Sequence, residues 1–272
     1  ESVTKDKHMF LKITRSIIFL ALSVILSACS SIKNTIFSEN MPLRVGISSH
    51  YHPMVFKEQG ELKGLEIDFA TSLAQALDRP SIFKEYNGNE IFNALDTGEI
   101  DIIKSGVSIT EDREKLFRFS QPYTQIAQMA IIRSQDVQQL SPPEALHSGG
   151  YTVGFSLGTT GERYVKRHNT GRSIGFKTNA EGIASLKQGT IDYFVHDAPT
   201  VWNLANHPTA KDSVDLLGLY HPLTQESLAW MLQLNALQLQ EDVNEVLTRW
   251  RVNGYLTKTI NKWIPVRVQV GQ

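Results

Sequence analysis

The sequence predicts an α/β protein made of two lobes of similar design. Three observations carry this. Short apolar strand-like runs alternate with amphipathic helical segments, the pattern of strand–helix–strand units with parallel sheets. The string Leu95-Asp96-Thr97-Gly98-Glu99-Ile100-Asp101 returns as Leu186-Lys187-Gln188-Gly189-Thr190-Ile191-Asp192, both reading L-x-x-G-x-I-D. The runs Leu43-Arg44-Val45-Gly46-Ile47-Ser48 and Tyr151-Thr152-Val153-Gly154-Phe155-Ser156 precede those strings in the same order and share a Val-Gly-apolar-Ser ending.

Taken along the chain, the first feature is a leader. Lys12 and Arg15 precede an apolar run from Ile17 to Ala28, too short to span a bilayer comfortably but suited to a secretory signal. The run ends in Leu26-Ser27-Ala28-Cys29, which resembles a bacterial lipobox. The thiol of Cys29, the one cysteine among 272 residues, would then be lipidated and become the mature N-terminus. An ordinary signal peptide or an anchor helix is the alternative. Residues 1–28 are expected to be the signal peptide, with Met9 as the true start. Residues 29–41 are polar and read as a tether to the membrane surface.

The body starts near Pro42. Leu43–Ser48 reads as a buried strand, and Ile67, Ala70, Ala74 and Leu77 share one helical face ahead of Pro80. Ile91, Phe92 and Leu95 mark a short helix that ends at Gly98, and a strand follows at Ile100–Ile103. Thr110 is placed to cap a helix from Glu111, and a further helix is expected from Glu162. In the second half Asn179 is a candidate cap for the helix carrying Ile183 and Leu186, which ends at Gly189 before the strand Ile191–Val195. Val243, Val246, Leu247 and Trp250 define a longer amphipathic helix that exits at Gly254.

Charge and composition narrow the function. Lys+Arg number 27 against 28 Asp+Glu, so there is no basic excess of the kind a nucleic-acid binder shows. A single cysteine excludes an internal disulfide framework. The 8 histidines form no His-x-x-x-His pair and no His–carboxylate cluster at ligand spacing, so neither metal nor cofactor is expected. In parallel α/β sheets ligands bind beyond the C-terminal strand ends. That rule selects Ser48–Tyr51, Ser105–Arg113, Ser156–Gly161 and His196–Asp197. Arg113, in a first helical turn beside free backbone N–H groups, can grip a carboxylate through two parallel bonds, or simply pair with Glu111 or Glu114. Gly158-Thr159-Thr160-Gly161 offers N–H groups and hydroxyls to an anion, or is only a turn. Asp197 can pair with an ammonium group or cap the helix after it. His196 and Tyr51 can contact a ligand or belong to the core. His50 and His52, on either side of Tyr51, face the cleft mouth or are exposed loop residues.

Six strings together resemble a known family: LRVGISSHYHPM, GLEIDFATSLAQAL, ALDTGEIDIIKSGVSITEDREKLFRFSQPY, VGFSLGTTGERY, LKQGTIDYFVHDAP and VLTRWRVNGYLTKTINKW. The resemblance is to the bacterial extracellular solute-binding proteins of family 3, the polar amino-acid group of the type 2 periplasmic binding proteins. It covers nearly all of Pro42–Pro265. It implies the type 2 fold, with two hinge crossings and a ligand cleft between the lobes. Lobe one would comprise 42–125 and 226–272, and 126–225 would hold the hinge and lobe two. The crossings are expected near Ile126–Arg133 and Pro222–Met231.

By the same resemblance, Arg113 would hold a ligand α-carboxylate with the N–H groups of Ser108 and Thr160, and Thr159 would line the same turn. Asp197 would hold the α-ammonium with the Ser108 hydroxyl and the Gly106 carbonyl. Tyr51 would cover the ligand side chain, and His196 would reach it. Three departures matter. Ser48 leaves no carboxylate where binders of basic and amide amino acids often carry Asp, Ser156 stands where glutamine binders often have a lysine, and Lys104 replaces a small apolar residue and is expected to point away from the cleft. The implied function is non-enzymatic capture of a polar amino acid by lobe closure. The protein would act as a lipid-anchored monomer outside the cytoplasm, periplasmic or on the outer membrane, with an ABC permease as partner. The alternative is a non-transport sensor or wall-associated module, similar to the N-terminal domain of membrane-bound lytic transglycosylase F.

Overall fold

The computed structural model describes residues 41–206 and 215–264. The expected signal peptide, Cys29 and nearly all of the expected tether lie outside the described residues.

Two five-stranded sheets with the same strand plan organise the chain. The first runs in the order Ser81–Glu85, Leu43–Ile47, Ile102–Ile103, Met231–Gln233, Phe117–Phe119. The second runs Ser173–Phe176, Val153–Ser156, Tyr193–Asp197, Gln128–Arg133, Leu216–Leu219. The two Val-Gly-apolar strands occupy equivalent positions, each flanked by two parallel neighbours. The two L-x-x-G-x-I-D strings sit at equivalent helix exits, with Gly98 and Gly189 at φ 73° and 75°. That left-handed backbone favours glycine and turns the chain straight into the next strand.

The sheets are not purely parallel, as the strand–helix alternation predicts. Met231–Gln233 and Gln128–Arg133 enter antiparallel to their neighbours. Both follow closely on a crossing between lobes, with no intervening crossover helix, and a parallel arrangement needs one. The crossings themselves pair as antiparallel strands, Thr124–Ile126 with Glu226–Leu228. Within the segment expected as the first crossing, Ile126 belongs to this pair and Gln128–Arg133 is a fully buried strand of the second sheet.

Each sheet is packed on both faces. In the first lobe Leu43, Val45 and Ile47 meet the helices Leu65–Ala76 and Leu237–Val252, while Ile103 and Met231 meet Ile91 and Leu95 on the other face. In the second, Val153 and Phe155 pack with Val165, and Phe194 packs with Ile183 and Leu186. The first helix buries Leu65, Phe69, Ala70, Leu73 and Ala74. The stripe is rotated from the expected one, because Phe69 enters an aromatic cluster with Tyr123, Trp230 and Trp250 and takes the centre of the face. The predicted cap Asn179 is the first helical residue. Thr178 is the cap, in a capping box with Glu181. The helix expected from Glu162 begins at Thr160, capped by Thr159.

Candidate functional site

A cleft of about 140 Å³ lies between the two sheets, at the strand ends the topology rule selects. Ser48, Tyr51, Gly106, Ser108, Arg113, Thr159, Thr160, His196 and Asp197 all line it. The fold thus brings together nine residues drawn from four separate segments.

The first lobe supplies a loop held from behind. Gly106 has φ 65°, and a Cβ there would lie 2.7 Å from the Tyr51 ring, so glycine is required by backbone and neighbour alike. Its N–H donates to Glu66 Oε1 at 2.9 Å. Glu66 is fully buried, and it also accepts from the Tyr123 hydroxyl at 2.7 Å and from Trp230 Nε1 at 2.9 Å. Ser48 donates its N–H to Ser105 Oγ at 3.1 Å. Ser108 stands opposite Leu228, with hydrogen bonds from Ile109 N–H to Ser227 and from Ala229 N–H to Val107 on either side. In such a pair the N–H and C=O of Ser108 itself face away from the partner strand.

Arg113 follows the Thr110 cap in the short helix Glu111–Glu114. Its Nη1 donates to the Ser108 carbonyl at 2.8 Å, and its Nη2 crosses the cleft to the Gly158 carbonyl at 3.1 Å. The guanidinium centre sits 5.2 Å from the Phe92 ring centroid. Burial, with repulsion from Arg163, lowers its pKa to about 10, and Glu226 opposes the shift. Five N–H donors less two leave three for a ligand anion.

The second lobe supplies the opposite charge. Asp197 ends the strand Tyr193–Asp197 and accepts from Gln128 Nε2. Burial, and then the charge of Glu226, raise its pKa well above the ordinary carboxylate value. The Asp197 N–H donates to His196 Nδ1 at 2.7 Å. Neutral His196 therefore carries its proton on Nε2, and burial lowers its pKa to about 4. Tyr51 meets the His196 ring edge-on at 5.3 Å, and its buried hydroxyl has no hydrogen-bond partner among the described residues. Thr159 caps its helix, donating to the Ser156 carbonyl at 2.6 Å and accepting from Glu162 N–H at 3.1 Å. His50 lines the cleft at its rim.

The cleft is closed. Besides the Arg113–Gly158 bond, Asn179 Nδ2 donates to the His50 carbonyl at 3.2 Å and the Thr200 hydroxyl to the His52 carbonyl at 3.0 Å. Lys104 does point away from the cleft. It is fully buried, with Nζ 3.0 Å from the Trp230 ring centroid and no hydrogen-bond partner among the described residues. Three residues that sequence reasoning missed contact this machinery: Glu66, Gln128 and Glu226. The Glu at a buried helical position was the one available signal. Among the described residues no group of three or more His, Cys, Asp or Glu is placed to hold a metal ion.

Comparison with known proteins gives the class. Residues 43–266 match the bacterial extracellular solute-binding proteins, family 3, and the chain belongs to this family. It is similar to the L-cystine-binding protein TcyJ of Escherichia coli strain K12, 25% identical over 227 residues covering 83% of each chain. It is also similar to the ABC transporter glutamine-binding protein GlnH of Bacillus subtilis strain 168, 24% identical over 208 residues, 75% of this chain and 74% of that one. Among solved structures it resembles AncCDT-1, an ancestral amino acid-binding protein described as a precursor of cyclohexadienyl dehydratase. There the TM-score is 0.75 at 28% identity, covering 86% of this chain and 98% of the other. The two-lobe type 2 periplasmic-binding fold is thereby established.

Proposed function

We propose that this protein captures a polar amino acid by lobe closure and delivers it to an ABC importer, acting as a lipid-anchored receptor without enzymatic activity. One observation carries the reading. Arg113 from the first lobe and Asp197 from the second border the same closed cavity, so a zwitterion meets both of its partners only when the lobes shut. The ligand then shifts an open–closed equilibrium by its differential affinity for the closed form. Relatives named for amino acids and for ABC transporters support the same reading.

In this reading Arg113, with the N–H groups of Ser108 and Thr160, holds the α-carboxylate, and Asp197 with the Ser108 hydroxyl and the Gly106 carbonyl holds the α-ammonium. Tyr51, Ser48 and His196 border the ligand side chain, and Thr159 fixes the turn beneath the carboxylate. Asp197 is the sole carboxylate among the residues lining the cleft, and the α-ammonium engages it. A neutral His196 Nε2–H donor in a cleft that Ser48 also lines favours a side chain with an acceptor, as in a carboxamide, over a cationic one. Lobe one spans 42–125 and 226–272, lobe two lies between them, and Cys29 carries the lipid.

The test is a thermal-shift screen of residues 30–272 against the twenty amino acids, L-cystine and a set of wall peptides. A ligand at 100 times its Kd adds about 2.7 kcal/mol of stability. A strong response to one or two neutral polar amino acids supports the reading. A folded protein that ignores all amino acids and answers a wall peptide overturns it in favour of a sensor or wall-associated role.

A further inference from the structure

Several hydroxyls around the cleft are already committed as donors. Those of Ser108 and Thr160 donate to Glu226 Oε2 at 2.5 and 2.7 Å. The Thr159 hydroxyl donates to the Ser156 carbonyl, and the Ser156 hydroxyl to Asn179 Oδ1 at 2.6 Å. The Tyr51 hydroxyl differs from all of these. It is buried and has no hydrogen-bond partner among the described residues. Nearly every buried side-chain polar atom in a native protein is paired, so a hydroxyl of this kind at a binding cleft calls for a role.

The phenol ring is fixed from both lobes. On its own lobe Gly106 comes so near that a Cβ there would lie 2.7 Å from Cε1 and 3.4 Å from Cζ, the carbon that bears the hydroxyl. From the second lobe the His196 ring meets it edge-on, with centroids 5.3 Å apart. Tyr51, Gly106 and His196 all line the cleft. His196 receives the Asp197 N–H on Nδ1, which leaves Nε2–H as a donor. A tyrosine hydroxyl donates or accepts, whereas this imidazole nitrogen only donates. A solute group that serves both is therefore an acceptor.

We infer that the Tyr51 hydroxyl and His196 Nε2–H form a two-donor site for an oxygen on the solute side chain, which makes Tyr51 a specificity-determining residue. The inference rests on the amino-acid reading above and narrows it to solutes with a side-chain carboxamide or carboxylate. Such an oxygen satisfies both donors when the lobes close on it. An aliphatic side chain of similar size strands both, and a site built to hydrogen-bond its substrate rejects the analogue that cannot. A cationic side chain sets donors against donors. Covering the side chain needs only the ring, so Tyr51→Phe separates the ring from the hydroxyl.

Isothermal calorimetry on wild type and Tyr51→Phe tests this. The probes are L-glutamine, L-glutamate, L-asparagine and L-aspartate, against L-norleucine and L-leucine, which fill similar volumes without the oxygen. Wild type is expected to bind one of the first four at least tenfold more tightly than either aliphatic probe. In Tyr51→Phe that solute is expected to lose about tenfold in Kd, the worth of one hydrogen bond. The aliphatic probes are expected to gain, because the variant no longer buries an unpaired hydroxyl over them. A merely structural role for Tyr51 would weaken both classes together. Equal weakening of both, or a change of less than twofold for the oxygen-bearing solute, would overturn the inference. A wild type that prefers an amino acid without a side-chain carbonyl would overturn it too, while leaving the amino-acid reading intact. Silence towards every amino acid removes that reading, and the inference with it.

Discussion

Replacing Arg113 with alanine removes the proposed carboxylate clamp and one of the bonds that close the cleft. Arg113 is mostly buried, stacks near Phe92, and spends two of its five donors on the Ser108 and Gly158 carbonyls. The remaining donors are free to meet a carboxylate in a forked geometry. Truncating one partner of a buried, hydrogen-bonded charge pair costs about 2–5 kcal/mol, or roughly 30- to 4000-fold in Kd at 1.4 kcal/mol per decade. The two carbonyls also lose a donor in the closed form, which adds to the loss. Arg113→Lys keeps the charge but not the fork, and is expected to fall between wild type and alanine. Isothermal calorimetry with the solute found in the thermal-shift screen measures all three proteins. Unfolding without ligand should be little changed in Arg113→Ala, because the burial that lowers the guanidinium pKa already penalises this cation. A folded Arg113→Ala protein with less than a tenfold loss of affinity refutes the clamp.

Two further predictions concern buried ionisable groups. His196 has a folded pKa of about 4 against an ordinary 6.5, so between those values the unfolded chain binds more protons. Its contribution is fully present above pH 6.5 and is lost as pH falls to 4. Relative to His196→Asn, wild type should lose about 3 kcal/mol between pH 7 and pH 4 in urea titrations, and a flat difference would sink the assignment of a buried neutral imidazole. Lys104 is fully buried over Trp230, and burial holds its pKa well below the usual lysine value. Lys104→Met keeps the volume and removes a buried amine, and should stabilise the protein by about 1 kcal/mol at pH 7. That gain should shrink as pH rises towards 10.5, where the unfolded chain also gives up the proton. Lower stability in the variant at every pH would refute the argument.

The sequence made much of this molecule legible, and for physical reasons. The L-x-x-G-x-I-D repeats are readable because a helix exit into a strand demands a left-handed residue, and Gly98 and Gly189 answer that demand locally. The nine cleft residues lie at strand ends and helix starts, where topology restricts what a side chain can reach. Glu226 and Gln128 escaped because Glu226 sits on a hinge strand of 3 residues, too short to show a period, and Gln128 opens a strand buried throughout, so nothing local marks either as facing a cleft. The antiparallel strands escaped for a related reason. Gln128–Arg133 is buried throughout and carries no alternation, and its direction is set by the hinge crossing rather than by its own residues. The rotated face of Leu65–Ala76 reflects Phe69, whose aromatic neighbours Tyr123, Trp230 and Trp250 come from distant segments.

The strand Met231–Gln233 lies between Ile102–Ile103 and Phe117–Phe119 in the first sheet. It is synthesised only after the whole second lobe. During translation the first lobe therefore waits with a slot in the middle of its sheet, its two inner neighbours unable to pair with each other. The second lobe has no such gap, because its five strands fall in one continuous stretch from Gln128 to Leu219. The half made later can thus be finished sooner, and the half made first needs protection from intermolecular strand pairing until residue 233 has emerged. A chain carried unfolded to another compartment before folding would meet both halves at once and avoid that wait.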